Sequence, residues 1–129
     1  MATEYLDLDD AFDAYAEAVE VSVQQAKDAL LNIGQLESAL ARPRNAAAYE
    51  DADIARQAAT LFWGVAANHA FRDGNKRTAV VVLRSFLNLN GYDMTLPQDE
   101  IFELAVGVAD AQISLDAAEA RLRPTVLPL

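Results

Sequence analysis

The chain has 129 residues, enough for one domain with a substantial core, and its 53% hydrophobic and 23% charged content excludes a disordered polypeptide. Ten basic residues stand against 20 acidic ones, so at a formal net charge of -10 we expect no general binding to nucleic acid or to an anionic membrane. Cysteine is absent, no apolar stretch approaches about 18 residues, and the acidic start of the chain is unlike a signal peptide. These features predict a cytoplasmic protein with a single domain over residues 1–129.

The first half of the chain shows mainly helical periodicity. Apolar residues recur at helical spacing at Leu8, Phe12, Tyr15 and Val19, with aspartates in front of them as candidate N-caps. A second helix is predicted over about residues 21–31. A third, short helix is predicted to end at Arg42, because Pro43 disfavours helical geometry in the residue before it. Residues 43–50 lack a strong period and are interpreted as a loop or a short β-hairpin.

The second half is more strongly patterned. Residues 51–68 predict a long amphipathic helix, and residues 75–90 predict a helix that is apolar nearly all round and belongs in the middle of a bundle. Two further helices are expected, one opening at Pro97 and one ending before Pro124. The sequence therefore predicts an all-α bundle of six or seven helices with one irregular excursion at residues 43–50.

The chemistry is concentrated in the segment HAFRDGNKR (residues 69–77), which joins two predicted helices and holds the one histidine of the chain. The first N–H groups of a helix are unpaired and attract anions, and Gly74 allows the backbone to approach a ligand closely. Asn75 can cap the helix or donate to a phosphate, and Lys76 and Arg77 add positive charge. The segment is thus a candidate anion site.

Two residues of the same segment supply reactive groups. Asp73 is a hard oxygen ligand of the kind Mg²⁺ prefers, and the neutral imidazole of His69 is a candidate base at cytosolic pH. Each has an ordinary structural explanation when taken alone, since His69 could be a helix-end cap and Asp73 part of a plain turn. Together, a base, a magnesium ligand and an anion site describe transfer from a nucleotide to a hydroxyl group.

HAFRDGNKR resembles the active-site motif of the Fic/Doc superfamily, whose general form is HxFx(D/E)GNxR. The resemblance extends to LESALARPR (residues 36–44), which is similar to the helix and flap before the core, to NGY (residues 90–92) and to the C-terminal helices. The resemblance covers about residues 36–123, and residues 21–33 match no part of the family. It implies a Fic-type helical bundle with a short β-hairpin flap over the site.

Two positions favour the Doc-like branch of that superfamily. Adenylylating members usually have Gly after the motif Asn and a second Arg three residues after the motif Arg, where this chain has Lys76 and Val80. The resemblance then implies a toxin that transfers the γ-phosphoryl group of ATP to a threonine of elongation factor Tu and so arrests translation. Its implied partner is a Phd-like antitoxin, and its implied cofactors are ATP and Mg²⁺.

The resemblance also implies the role of each site residue. His69 is the general base and Asp73 the magnesium ligand. Nucleotide binding falls to Arg72, Gly74, Asn75, Lys76 and Arg77. Arg42 and Arg44 are expected on the flap, where they would position the protein substrate.

Three other functions are also compatible with the sequence. An adenylyltransferase would use the same His69 but attack the α-phosphorus. A catalytically inactive domain would only bind a nucleotide or a partner, and a small ribonuclease toxin would use His69 as acid or base. The 129 residues contain no inhibitory motif of the form (S/T)xxxE(G/N), which indicates that a toxin of this kind needs an inhibitor from outside the chain.

Overall fold

The computed structural model describes residues 2–129, which form seven α-helices, one 3-10 turn and two short strands. In chain order the helices are α1 (Leu8–Val19), α2 (Val23–Asp28), α3 (Ile33–Glu50), α4 (Ile54–Ala67), α5 (Asn75–Leu89), α6 (Gln98–Ala109) and α7 (Leu115–Leu122). The 3-10 turn (Arg123–Thr125) follows α7, and strands β1 (Tyr92–Met94) and β2 (Val126–Pro128) pair antiparallel. The predicted all-α bundle is confirmed.

Helix α5 is the centre of the bundle. Helices α1, α4 and α6 pack against it, and its side chains Val82, Leu83, Phe86 and Leu87 are fully buried. A helix covered on several sides has no solvent face to keep polar, which explains why this segment is apolar nearly all round. Because α5 is held along its length by the core, the position of its first turn is fixed as well.

The start of α5 differs from the start of most other helices. Five helices have an N-cap side chain that accepts a hydrogen bond from the backbone of the first turn, namely Asp7, Ser22, Asn32, Asp53 and Ser114. In residues 2–129, α5 and α6 lack such a bond, and α5 begins after Gly74 in the left-handed conformation. The first N–H groups of α5 are therefore left available.

Helix α3 is longer than the sequence predicts. It continues through Pro43 and ends only at Glu50, so the expected irregular segment at residues 43–50 is helical. Pro43 and Ala46 are buried, and this burial, together with the helix-favouring alanines around it, outweighs the hydrogen bond that Pro43 removes. The small antiparallel β element lies instead at β1 and β2. Helix α2 is also shorter than the expected 21–31.

Both chain ends are attached to the turn that follows α5. The backbone N–H of Glu4 donates to Oδ1 of Asn90 at 2.7 Å, and the Asn90 side-chain amide donates back to the Glu4 carbonyl at 2.9 Å. The N–H of Leu129 donates to the carbonyl of Gly91 at 2.9 Å. Across residues 2–129, no helix combines the length and the apolar character needed to cross a membrane.

Candidate active site

The loop between α4 and α5 turns sharply at both of its ends. Helix α4 is capped at Asn68, and the next residue, His69, has a φ of 51°, while Gly74 at the other end has a φ of 73°. A left-handed backbone in a residue other than glycine costs about 1–3 kcal/mol. The His69 side chain is exposed, and within residues 2–129 nothing hydrogen-bonds its imidazole. The strained turn thus presents a free imidazole to solvent.

Phe71 anchors this loop in the core. Its side chain is 1% exposed, stacks on Tyr15 with ring centroids 4.4 Å apart, and meets Phe12 edge to face. The side chain of Asn75 binds both backbone polar groups of Phe71, accepting from its N–H at 3.0 Å and donating to its carbonyl at 2.8 Å. The Asn75 amide, expected at a phosphate, is therefore engaged inside the protein.

The N-terminus of α5 offers unpaired donors. The carbonyl of Gly74 accepts from the N–H of Thr78 at 2.9 Å, which begins the helical pattern, and the N–H groups of residues 75–77 have no acceptor within residues 2–129. Gly74 is required here for space as well as for its φ angle. A Cβ atom at residue 74 would lie 2.7 Å from Cγ2 of Val19 and 3.2 Å from Cε2 of Tyr15.

A groove begins at these donors. A cavity of about 330 Å³ is lined by Val19, Asp73, Gly74, Lys76, Arg77 and Phe102. A second cavity of about 630 Å³ shares Arg77 and Phe102 with the first and is otherwise lined by Ala18, Val80, Val81, Gln98 and Asp99. We call the first cavity the phosphate end of the groove, because its cations Lys76 and Arg77 stand beside the uncapped helix start.

A larger cavity lies elsewhere in the molecule. It has a volume of about 820 Å³ and is lined by residues 2–4, Ile54 and residues 88–92, at the C-terminal end of α5. No basic side chain lines it. Its size is therefore not accompanied by the charge that an anionic ligand requires.

Asp73 is exposed at the edge of the phosphate end. The hydroxyl of Tyr15 donates to its Oδ1 at 2.9 Å, and no group in residues 2–129 donates to its Oδ2. Burial, and secondly the hydrogen bond to Asp73, hold the pKa of Tyr15 above its usual value, so the phenol remains a donor at neutral pH. Residues 2–129 contain no group of three or more side chains arranged to hold a metal ion. A single carboxylate suits a Mg²⁺ ion that takes its other ligands from phosphate and water.

The segment of residues 29–32, which we call the bridging segment, lies against the loop. The N–H groups of Leu31 and Asn32 both donate to the carbonyl of Ala70, at 2.9 and 3.1 Å. Arg72 donates to the same region, from its backbone to Ala29 at 2.9 Å and from Nη2 to the carbonyl of Asp28 at 3.1 Å. Arg72, expected at the nucleotide, therefore contacts the end of α2. No signal in residues 21–33 predicted this neighbour of the site, because it is made by backbone groups.

Arg42 and Arg44 do not lie on a flap, and that prediction is wrong. Both are in the middle of α3, where the Arg42 guanidinium lies 5.1 Å from the centre of the Trp63 ring and that of Arg44 lies 4.7 Å from the centre of the Tyr5 ring. The Tyr5 hydroxyl donates to Oε1 of Gln57 near the start of α4, roughly 15 Å along that helix from its last residue, Ala67. Both guanidinium groups therefore pack against aromatic rings.

The comparison with known sequences identifies the family of this chain. The Fic/DOC family matches residues 5–87, which includes the whole loop and most of α5. The chain therefore belongs to the Fic/Doc family.

Two relatives resemble it further. "Toxin Doc" of Mycolicibacterium smegmatis (strain ATCC 700084 / mc(2)155) is 35% identical over 126 residues, which cover 93% of this chain and 92% of the relative. "Protein kinase doc" of Escherichia phage P1 is 34% identical over 91 residues, which cover 70% of this chain and 71% of the relative. Within its family the chain is thus Doc-like, as its motif predicts.

The bonds of Asn75 lead to a prediction about the loop. We expect Asn75→Ala to lower the free energy of unfolding by about 1–3 kcal/mol, because it leaves two buried backbone groups of Phe71 without a partner. The measurement is urea unfolding together with hydrogen exchange of the Phe71 amide, which should become faster. As a control, Asn68→Ala removes one exposed hydrogen bond, to the carbonyl of Gln35, and should change stability by less than about 0.5 kcal/mol. An Asn75→Ala variant as stable as the wild type would contradict this role.

Proposed function

We propose that this chain is a Doc-like toxin that transfers the γ-phosphoryl group of ATP to a hydroxyl of a translation factor such as elongation factor Tu and thereby arrests translation. The supporting observation is the uncapped start of α5, with Lys76 and Arg77 beside it and with His69 and Asp73 on the loop in front of it. The names of the two relatives, a toxin and a protein kinase, support the same activity.

The distribution of charge along the groove supports one orientation of the nucleotide. Among the side chains that line its two cavities, the cations are Lys76 and Arg77, and both line the phosphate end. Val80, where adenylylating members carry a second arginine, is buried and supplies no charge. This distribution favours a triphosphate at the start of α5, because phosphoryl transfer depends mainly on positioning and charge stabilisation.

His69 and Asp73 then have separate tasks. The imidazole of His69 accepts the proton of the target hydroxyl, whose oxygen forms a bond to the γ-phosphorus while the bond from that phosphorus to the β–γ bridging oxygen breaks and ADP leaves. Oδ2 of Asp73 would hold Mg²⁺, for which a carboxylate oxygen without a protein donor is a fitting ligand. Bound Mg²⁺ supplies charge neutralisation at the phosphate oxygens. Lys76, Arg77 and the first N–H groups of α5 orient the phosphates.

Adenylyl transfer is the second candidate, because Gly74 follows the general pattern of the superfamily and His69 would serve both reactions. The two differ in which phosphorus is attacked.

Incubation with ATP labelled at the α or the γ position and with elongation factor Tu tests both. We expect γ label on the protein, and we expect His69→Ala to lower the rate about 10²-fold or more through loss of the base. The control variant Asn68→Ala, which changes the half-buried residue before His69, should retain the wild-type rate. Transfer of α label would establish adenylylation, and undiminished transfer by His69→Ala would exclude His69 as the base.

The protein target is proposed to contact the bridging segment. Leu31 in this segment is 67% exposed, and Ile33 directly after it is 51% exposed, beside the loop that carries His69. Exposed apolar side chains next to a reactive group are suited to hold a protein substrate.

The corresponding test changes one of these side chains. Leu31→Asp should raise KM for the protein target at least several-fold and leave ATP binding unchanged, as measured in steady-state kinetics and by nucleotide titration. Leu127→Asp is the matched control, because Leu127 is 50% exposed on β2. An unchanged KM for Leu31→Asp would show that the target binds elsewhere.

We further propose that a Phd-like antitoxin restrains the chain. The sequence has neither an inhibitory (S/T)xxxE(G/N) motif nor the second motif arginine with which such a motif pairs, since Val80 stands there. A segment of the antitoxin that folds on binding needs a sizeable apolar contact to offset its ordering. The exposed acidic side chains of α1 favour a basic or mixed-charge partner.

Expression in a bacterial cell tests the external inhibitor. The wild-type chain alone should stop growth, His69→Ala should not, and co-expression of the neighbouring open reading frame should restore growth. If the wild-type chain is harmless alone while the purified protein modifies its target at full rate, an external inhibitor is not needed.

A further inference from the structure

Tyr15 of α1 lies outside the motif but contacts three of its residues. Its ring stacks on Phe71 with centroids 4.4 Å apart and planes inclined by 29°. Its hydroxyl donates to Oδ1 of Asp73 at 2.9 Å, and its ring edge fills the space where a side chain at residue 74 would begin. The side chain is only 3% exposed, so the core fixes the position of the hydroxyl.

We propose that Tyr15 is a positioning residue that prepares Asp73 for a divalent cation. This inference rests on the proposed function, in which Asp73 binds Mg²⁺. An exposed aspartate is free to change rotamer and loses that freedom when it binds a metal. The Tyr15 hydroxyl, which the core holds in place, restricts Oδ1 of Asp73 before the metal binds and leaves Oδ2 for the metal. The Asp73 side chain therefore loses less entropy when the metal binds. Partners of metal ligands typically change metal affinity 10- to 100-fold.

The geometry makes this more than a packing contact. In residues 2–129 the Tyr15 hydroxyl is the one group that hydrogen-bonds the Asp73 carboxylate, and Asp73 itself is exposed to solvent. Ring burial and stacking would be equally well served by phenylalanine, which has no hydroxyl. Removing the hydroxyl while keeping the ring therefore distinguishes a positioning role of Tyr15 from a structural one.

The variant Tyr15→Phe keeps the ring, its burial and its stacking on Phe71, and removes the one hydrogen bond to Asp73. Tyr5→Phe is the matched control. Tyr5 also donates through its hydroxyl, to Oε1 of Gln57 at 2.9 Å, and also stacks on a core ring, that of Phe86, but it lies far from the loop.

Two readouts apply to each variant. Binding of Mn²⁺ in the presence of a non-hydrolysable ATP analogue is followed by electron paramagnetic resonance, with the analogue alone subtracted, and the Mg²⁺ dependence of label transfer is measured in parallel. We expect Tyr15→Phe to need about 10-fold more Mn²⁺ or Mg²⁺ for half-saturation and to approach the wild-type rate at saturating Mg²⁺. Tyr5→Phe should match the wild type in both.

Asp73→Asn distinguishes failure of this inference from failure of the proposed function. If wild type and Asp73→Asn bind Mn²⁺ equally, Asp73 is not the metal ligand and the proposed function loses its metal site. If Asp73→Asn binds more weakly while Tyr15→Phe equals the wild type, the role of Tyr15 alone is overturned. It is also overturned if Tyr15→Phe and Tyr5→Phe weaken Mn²⁺ binding to the same extent, because the effect is then one of general stability.

Discussion

Phe71 belongs to a loop, yet it is buried as deeply as the residues of α5, and its backbone N–H and carbonyl are buried with it. Backbone groups removed from water need partners, and the side chain of Asn75 provides for both. Because Asn75 is the first residue of α5, the same pair of bonds joins the loop to the start of the central helix. These two hydrogen bonds therefore determine the positions of His69, Asp73 and the free N–H groups.

The loop and the start of α5 also show how a strongly acidic protein concentrates positive charge locally. The first 20 residues hold seven carboxylates and no cation, whereas Arg72, Lys76 and Arg77 fall within six residues. The partial positive charge of the α5 N-terminus adds to Lys76 and Arg77 over a distance of a few ångströms. The overall charge of -10 acts at longer range and is screened by salt. At the start of α5 the local positive charge therefore outweighs the negative charge of the whole chain.

Most of the fold could be predicted from local patterns, because each helix reports its buried face through its own spacing. Phe12 and Tyr15 in α1 and the apolar run of α5 are such cases, and the motif at residues 69–77 identified the loop directly. Pro43 was misleading, because the rule that proline ends a helix is local, whereas its burial in α3 comes from the tertiary fold.

The bridging segment and the bond from Tyr15 to Asp73 had no signal in the sequence for a different reason. The first is made of backbone hydrogen bonds between segments about 40 residues apart, and the second joins side chains 58 positions apart. Neither leaves a periodic pattern, and each becomes visible only when the helices are placed against one another. Arg72 and Asn75 illustrate the same point. Their residue types suggested phosphate binding, but in the structure both side chains hydrogen-bond backbone groups.

The turn after α5 holds both ends of the chain, through Asn90 to Glu4 and through Gly91 to Leu129. The loop with His69 is at the other end of α5, whose 15 residues span roughly 22 Å. Residues 4 and 129 are therefore both held on the side of the molecule remote from the groove. Because Glu4 and Leu129 bond to adjacent residues of one turn, the fold is suited to circular permutation with new ends opened in an exposed connection.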